Sequence, residues 1–444
     1  MSAPAIRSET GRLQSCILCA PGRELDAMVP RHIQALRQSQ AAEGELTQGD
    51  QWQPNPDYLL FDDLVLLPQL ASEHAQLQAV IAAATGDRQC LDFRDLLDQV
   101  LQLPGVRGSL TEEILDLELQ LGADPGQLGL ARGRLGELAP HELSEALLSG
   151  LDPRDDAEIL GGPCPNVLFA RDLWAVVGQQ LVLGYPRARA RKRDGVLARC
   201  VARHHPRLAG AQLLDIRADH RGRPGGLAPE ELIDDRCVEG GDVLVVTPDT
   251  VLIGIGERTT LRGALAVARG LQGQGFRHVL GVQLPLARAM MHLDTVMTFV
   301  DRGLALAYLP ALQGPEALRV VDLLDGGRAL PYGVDRALQE AGSPVEWVPC
   351  GGSDPRAAAR EQWSDGANAV CLAPGRIVLY GRNTATLREL NRRGFEVLTP
   401  AQFIANAEWL LQGGRRFVVA LGGSELSRGR GGPRCLTLPL LRAG

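Results

Sequence analysis

The densest chemistry in this sequence lies near its far end, in Gly422-Gly423-Ser424-Glu425-Leu426-Ser427-Arg428-Gly429-Arg430-Gly431-Gly432-Pro433-Arg434-Cys435. Glycines lack a Cβ and let the backbone pass close to a ligand. The run ends in a thiol with Arg428, Arg430 and Arg434 near it in sequence, and positive charge favours the nucleophilic thiolate. On local sequence alone, a reactive Cys435 and a buried structural cysteine are equally good readings. His292-x-Asp294 predicts an imidazole and a carboxylate on one face of a strand, a pair that can shuttle protons near neutral pH. As a lone motif, a structural histidine reads better. Phe169-Ala170-Arg171-Asp172 and Glu239-Gly240-Gly241-Asp242 put carboxylates at strand boundaries. Each alone reads as a solvated turn. Several converging on one pocket would suit a planar cation, since every oxygen can accept a guanidinium N–H. No second His or Cys stands at ligand spacing, so no metal centre is expected, and the single C-x-x-C pair, Cys16 and Cys19, reads as ordinary core or surface.

These side chains need elements to hold them. Leu13 to Leu18 alternates like a strand and runs into a Pro21-Gly22 turn. From 68 to 155 the period becomes helical: Leu77, Val80 and Ile81, then Phe93, Leu96, Leu97, Val100 and Leu101. Ser109-x-x-Glu112 matches a capping box ahead of Ile114 and Leu115, and a further helix is expected after Pro140. Beyond about 160 a unit repeats. Val243-Val246, a Thr247-Pro248-Asp249 turn, Val251-Ile255 and a helical stretch form one copy. Ala369-Leu372, Pro374-Gly375, Ile377-Tyr380 and another helical stretch form the next. Asn166 to Leu183 and His292 to Leu309 are looser copies. Strand, turn, strand, helix recurring in units too small to fold alone suggests a pseudo-symmetric α/β array closed on itself. No G-x-G-x-x-G or Walker sequence follows a strand, which argues against nucleotides.

Composition narrows the classes further. The chain has 444 residues, 45% hydrophobic, with a net charge of -7 spread in mixed signs, so nothing resembles a nucleic-acid footprint. Lys192 is the only lysine, which fits codon bias better than function. No apolar run approaches the roughly 18 residues of a membrane span, and the N-terminus has no signal-like core. The expectation is a cytosolic protein with no nucleic-acid or membrane partner.

Taken together the motifs resemble the arginine deiminase family, within the guanidine-modifying (amidinotransferase) superfamily. The matching segments are Phe61-Asp62-Asp63, Asn166 through Asp172, Glu239 to Asp242, Met291-His292-Leu293-Asp294-Thr295, Arg360-Glu361-Gln362-Trp363, Arg382-Asn383-Thr384 and the Arg428-to-Cys435 loop. The resemblance implies a pseudo-five-fold α/β propeller (1–67 and 156–444) with a helical insertion (68–155). It implies Cys435 as nucleophile and His292 as proton carrier. Asp172 and Asp294 would grip the guanidinium, with Glu239 assisting, and Asn166, Arg191, Arg258 and Arg430 would hold the α-carboxylate and α-amino end. It implies free L-arginine as substrate, no metal or organic cofactor, and a homo-oligomer. Two departures stand out: the family's usual Thr before Arg-Asp is Ala170, and its usual Glu after the arginine run is Asp194. An arginine dihydrolase or amidinotransferase of the same fold, or a non-catalytic arginine sensor, is the alternative reading.

Overall fold

The computed structural model describes residues 3–38, 52–218, 235–314 and 316–443. It is a mixed α/β fold in which five sheets share one plan: an antiparallel strand pair, a hairpin in four of them, whose inner strand pairs in parallel with a strand that returns after at least one helix. In the first, Trp174–Val177 pairs with Gln180–Leu183, and Gln212–Leu214 returns alongside. The second joins Val243–Thr247, Thr250–Ile255 and His278–Gln283, with Arg319–Asp322 and Arg328–Gly333 extending its edge. The third joins Met297–Asp301, Leu304–Ala307 and Glu346–Pro349. The fourth joins Val370–Ala373, Arg376–Tyr380 and Arg416–Leu421, with Phe395–Leu398 outside. Three of the hairpin turns carry a left-handed glycine (Gly178 at φ 59, Gly303 at φ 66, Gly375 at φ 70), a conformation that tight hairpin loops demand. Trp174–Val177, Gln180–Leu183 and Val370–Ala373 are buried at every position, as strands covered on both faces must be.

The fifth sheet brings distant parts of the chain together. Leu438–Arg442 pairs antiparallel with Leu13–Leu18, which pairs in parallel with Cys90–Asp92. Helix Leu67–Thr85 supplies the crossover, and its Leu70, Leu77, Val80 and Ile81 pack in one cluster with Phe403 and Phe417 of the fourth sheet's flank. The first helix of the expected 68–155 block is thus built into a sheet unit. Helices Phe93–Leu101, Val106–Gln120, Pro125–Glu137 and Pro140–Ser149 pack instead on the first unit, where Phe93 meets Trp174 edge-on at 6.0 Å. The capping-box reading of Ser109 is corrected. The helix starts earlier, after a left-handed Gly105, and the Ser109 hydroxyl donates to the Gly105 and Val106 carbonyls inside the first turn. No described helix is long and apolar enough to cross a membrane.

Candidate active site

The first strand of each unit is preceded by a short turn, and these turns carry the chemistry. Ala170–Asp172 precedes Trp174, Gly240–Asp242 precedes Val243, and Leu293–Thr295 precedes Met297. The bend at 365–368 leads into Val370, and Pro433 to Cys435 leads towards Leu438. This corrects the strand reading of His292 and Asp294. His292 is the extended residue capping a 3-10 turn and Asp294 lies within that turn, so the two side chains reach the site from a bend.

Within the site His292 Nε2 is 2.9 Å from Glu239 Oε2, and Nδ1 is 3.9 Å from Asp172 Oδ1. Cys435 Sγ lies 3.6 Å from Asp294 Oδ2. Asp172, Glu239, His292, Asp294 and Cys435 are all buried, so the five residues expected to carry chemistry converge. The glycines between Glu239 and Asp242 serve that convergence. A Cβ on Gly241 would stand 2.8 Å from Asp172 Oδ1 and 2.9 Å from the His292 ring. Close approach here is to the protein's own Asp172 and His292 side chains.

The carboxylates already hold a guanidinium, that of Arg191. Its Nη1 donates to Asp172 Oδ2 at 2.5 Å and to Glu239 Oε2 at 3.0 Å, and its Nη2 donates to the Asn166 carbonyl at 3.1 Å. Nε donates to Asp194 Oδ2 at 3.2 Å, so the shorter acid at this position still anchors Arg191. Arg258 Nη1 lies 3.7 Å from the same Glu239 oxygen. Asn166 Nδ2 donates to the Leu59 carbonyl at 2.8 Å. Arg430, itself left-handed at φ 66, stacks over the Trp363 ring at 3.5 Å and donates to its carbonyl at 2.8 Å. Arg191 and Arg258 reach the carboxylates directly, and all four residues expected at the amino-acid end line one cavity with Asp172, His292 and Cys435. The cavity is only about 20 Å³, room for about one water molecule.

Electrostatics follow from this crowding. Burial opposes ionisation of Glu239, but Arg191 and Arg258 overcome it and hold the carboxyl at about 2. Burial likewise opposes the imidazolium, yet Asp172 and the Glu239 hydrogen bond lift His292 to about 9. Cys435 goes the other way. Burial, then Asp294, Asp172 and Asp365, raise its thiol well above the ordinary range against the opposing charge of Arg434. The expectation that the arginine-rich loop makes a thiolate is corrected: Arg428 is ion-paired with Asp63, Arg430 lies on Trp363, and Arg434 is taken up by Glu9 and Asp294.

The argument from linear spacing against a cation-binding cluster is corrected as well. Folded, the ligand atoms of Asp172, Glu239 and His292 lie within 4.8 Å of one another. The Arg191 guanidinium draws on two of those carboxylates.

Glu9, Asn368 and Arg288 were not singled out as functional beforehand, nor was the pairing of Arg434. Arg434 Nη1 donates to Asp294 Oδ2 at 2.8 Å, while its Nε and Nη2 each donate to Glu9 at 3.1 Å, a bidentate pair. Asn368 and Arg288 also border the thiol or the cavity. For Asn368 a signal existed, since it precedes a strand in the same repeat that places Asp172 and Asp294. For Glu9 there was none, with 425 residues between the partners.

Comparison with known proteins gives this geometry a relative. A sequence model of the arginine deiminase family matches residues 151–442. An arginine deiminase of Mycobacterium tuberculosis is 33% identical over 454 residues, covering 98% of this chain and 97% of that protein. That of Mycobacterium marinum is 33% identical over 453 residues at the same coverage, and that of Listeria monocytogenes 29% over 461. Among solved structures, a Pseudomonas aeruginosa DDAH mutant complexed with citrulline aligns with 96% of this chain and 99% of its own, at 14% identity and a TM-score of 0.45. With a family match over most of its length and relatives one-third identical from end to end, the chain belongs to the arginine deiminase family.

Proposed function

We propose that this protein hydrolyses free L-arginine to L-citrulline and ammonia, with Cys435 as the nucleophile. The observation that carries the reading is the guanidinium of Arg191 seated on Asp172 and Glu239, beside His292 and the turn that bears Cys435. A pocket that binds one guanidinium by its geometry suits another.

The substrate guanidinium displaces that of Arg191 and lies between Asp172 and Asp294 with its Cζ facing sulfur. Its positive charge offsets the carboxylates that hold the thiol protonated, so the thiol releases its proton to solvent and the thiolate forms with the substrate in place. Sulfur bonds to Cζ, the C–Nη bond breaks, and the His292 imidazolium gives its proton to the departing ammonia. The S-alkylthiouronium that remains divides one hard substitution into two easier ones. His292, now neutral, takes a proton from water as the oxygen adds to the same carbon. The C–S bond then breaks, the hydroxyl proton passes to the departing sulfur to restore the thiol, and the ureido group remains. Arg191, freed from the protein's carboxylates, joins Asn166, Arg258 and Arg430 around the substrate's α-carboxylate and α-amino end.

The finer architecture belongs to the same proposal. The five like-patterned sheets, the fifth of which takes in helix Leu67–Thr85 and strand Cys90–Asp92 beyond the expected bounds of 1–67 and 156–444, support a pseudo-five-fold propeller with the site on its axis. The helices between 68 and 155, from Phe93 onward, support an insertion. The cytosol and a homo-oligomeric state complete the reading.

Incubating the purified protein with L-arginine and a chelator, then resolving the products, tests it. Citrulline and one equivalent of ammonia are expected. Ornithine with two equivalents would mean a dihydrolase, and unchanged arginine a sensor; either would overturn the proposal.

A further inference from the structure

We infer that Asn368 is a catalytic residue, whose side-chain N–H holds the Cys435 sulfur as an acceptor while its carbonyl fixes the nucleophile's backbone. The inference rests on the reading that Cys435 attacks the substrate. Asn368 is fully buried at the end of the bend that leads into strand Val370–Ala373. Its Oδ1 accepts from two main-chain amides, Arg434 N at 3.0 Å and Cys435 N at 3.1 Å. Both partners are obligate donors, so the oxygen of the amide must face them, and the orientation of the side chain is settled by chemistry. Its NH₂ is thereby turned to two acceptors, the Asp294 carbonyl at 3.0 Å and Cys435 Sγ at 3.2 Å. One hydrogen serves each.

The consequence for the sulfur is directional. A donor aimed at Sγ stabilises the thiolate more than the thiol, because hydrogen bonds to a charged acceptor are the stronger ones. Every other strong influence on Cys435 opposes ionisation, save Arg434, which Glu9 and Asp294 already occupy. Asn368 also ties the turn of Asp294 to the turn of Cys435, so nucleophile and guanidinium grip keep their spacing. Backbone packing confirms that the approach is built in: a Cβ on Gly432 would stand 2.7 Å from both the Cβ and the Oδ1 of Asn368. The repeat gives the same answer independently. The first, second, third and fifth units each send a residue from their pre-strand turn to the site, and Asn368 is the fourth unit's contribution.

Two variants separate the donor from the scaffold. Asn368→Asp keeps an oxygen for both amides and replaces the N–H; Asn368→Ala removes both functions. Each is read by kcat and KM at neutral and at alkaline pH, by the rate of Cys435 alkylation with iodoacetamide followed by peptide mass spectrometry, and by Tm. Losing one preorganised donor at the reacting atom should lower kcat by about a hundredfold in both, with KM little changed. Alkylation at fixed pH should slow by about tenfold, one unit of thiol pKa. Tm should fall only for Asn368→Ala. Either variant alone decides: near-wild-type kcat in Asn368→Asp, an activity loss that merely follows Tm, or unchanged alkylation in both would overturn the inference. A Cys435→Ala control keeps the two ideas apart. Activity in that control sinks the nucleophile itself, whereas activity in Asn368→Asp beside a dead Cys435→Ala sinks only the role of Asn368.

Discussion

Cys164 and Cys435 are both buried thiols with an arginine close by in space, and only one of them stands in a site. At Cys164 the cation lies on the sulfur itself, with Arg193 Nε at 3.0 Å, yet burial still holds the thiol far up. Arg193 is meanwhile paired with Glu118 at 2.7 Å and donates to the Gly162 carbonyl. Arg193 and Glu118 satisfy each other there, and the cluster joins the helices to the first unit. Around Cys435 the balance is left open. Glu239 Oε1 and Asp242 Oδ2 are buried with no hydrogen-bond partner among the described residues, and the nearest cations to the sulfur are committed elsewhere. On the proposed mechanism the thiol becomes a nucleophile when a substrate cation takes the place of Arg191 on the carboxylates; arginines standing beside it are not enough.

The hardest way to break that comparison is to remove each sulfur. Cys435→Ala should cut turnover at least about a hundredfold while arginine binding stays measurable, since the guanidinium grip is separate from the nucleophile. Cys164→Ala should stay within about threefold of the wild-type rate and lose stability instead. Equal losses of activity in the two would erase the distinction.

Next in size is substrate choice. Agmatine carries the same guanidinium but no carboxylate to receive Arg191, Arg258 and Arg430. Its kcat/KM should trail that of L-arginine by at least about two orders of magnitude, roughly 3 kcal/mol. Comparable rates on both would defeat the carboxylate clamp and leave the cysteine chemistry standing.

The open site should also be marked by its response to pH. His292 is raised from 6.5 to about 9, so its contribution to stability is complete below 6.5 and is lost as pH rises towards 9. Denaturant unfolding across that window should show a loss of up to about 3 kcal/mol that disappears in His292→Gln. A wild-type curve as flat as the variant's would contradict the raised imidazolium. The smallest expected effect is none: dialysis against EDTA should leave the rate unchanged, because Arg191 and the protonated His292 compete with any ion for Asp172 and Glu239. Activity lost and restored by zinc or manganese would sharpen the cluster into a metal site.

Much of this was legible beforehand where local pattern and chemistry agree. The strand-turn-strand copies at Val243–Thr247 and Val370–Ala373 follow from alternation and turn residues, while Cys435, His292, Asp172, Glu239 and Asp294 were candidates by residue type beside turn signals and were joined into one site by the family resemblance. What could not be read was pairing at a distance. Arg428, Arg430 and Arg434 looked like free charge near a thiol because Asp63, Trp363 and Glu9 lie far from them along the chain. The fifth sheet was hidden for the same reason, since Pro439 pairs with Cys16 and Cys90 with Cys16 from the other side. Ser109 shows the opposite limit, a correct local motif overruled by a left-handed glycine one turn earlier.

The seat of Arg191 has a further consequence, in the work of bringing a charge into the protein. A vacant anionic cavity would gain a cation on binding, and its affinity would weaken with added salt as the attraction was screened. In the proposed exchange one guanidinium leaves Asp172 and Glu239, where Arg191 now sits, as another arrives, and the departing one meets the carboxylate that came with the newcomer. The number of buried ion pairs is the same or one greater after binding, and little net charge crosses from solvent to interior. Affinity for L-arginine should thus vary only shallowly with ionic strength, and that of a monocation such as agmatine, which strands Arg191 without a partner, should fall away steeply.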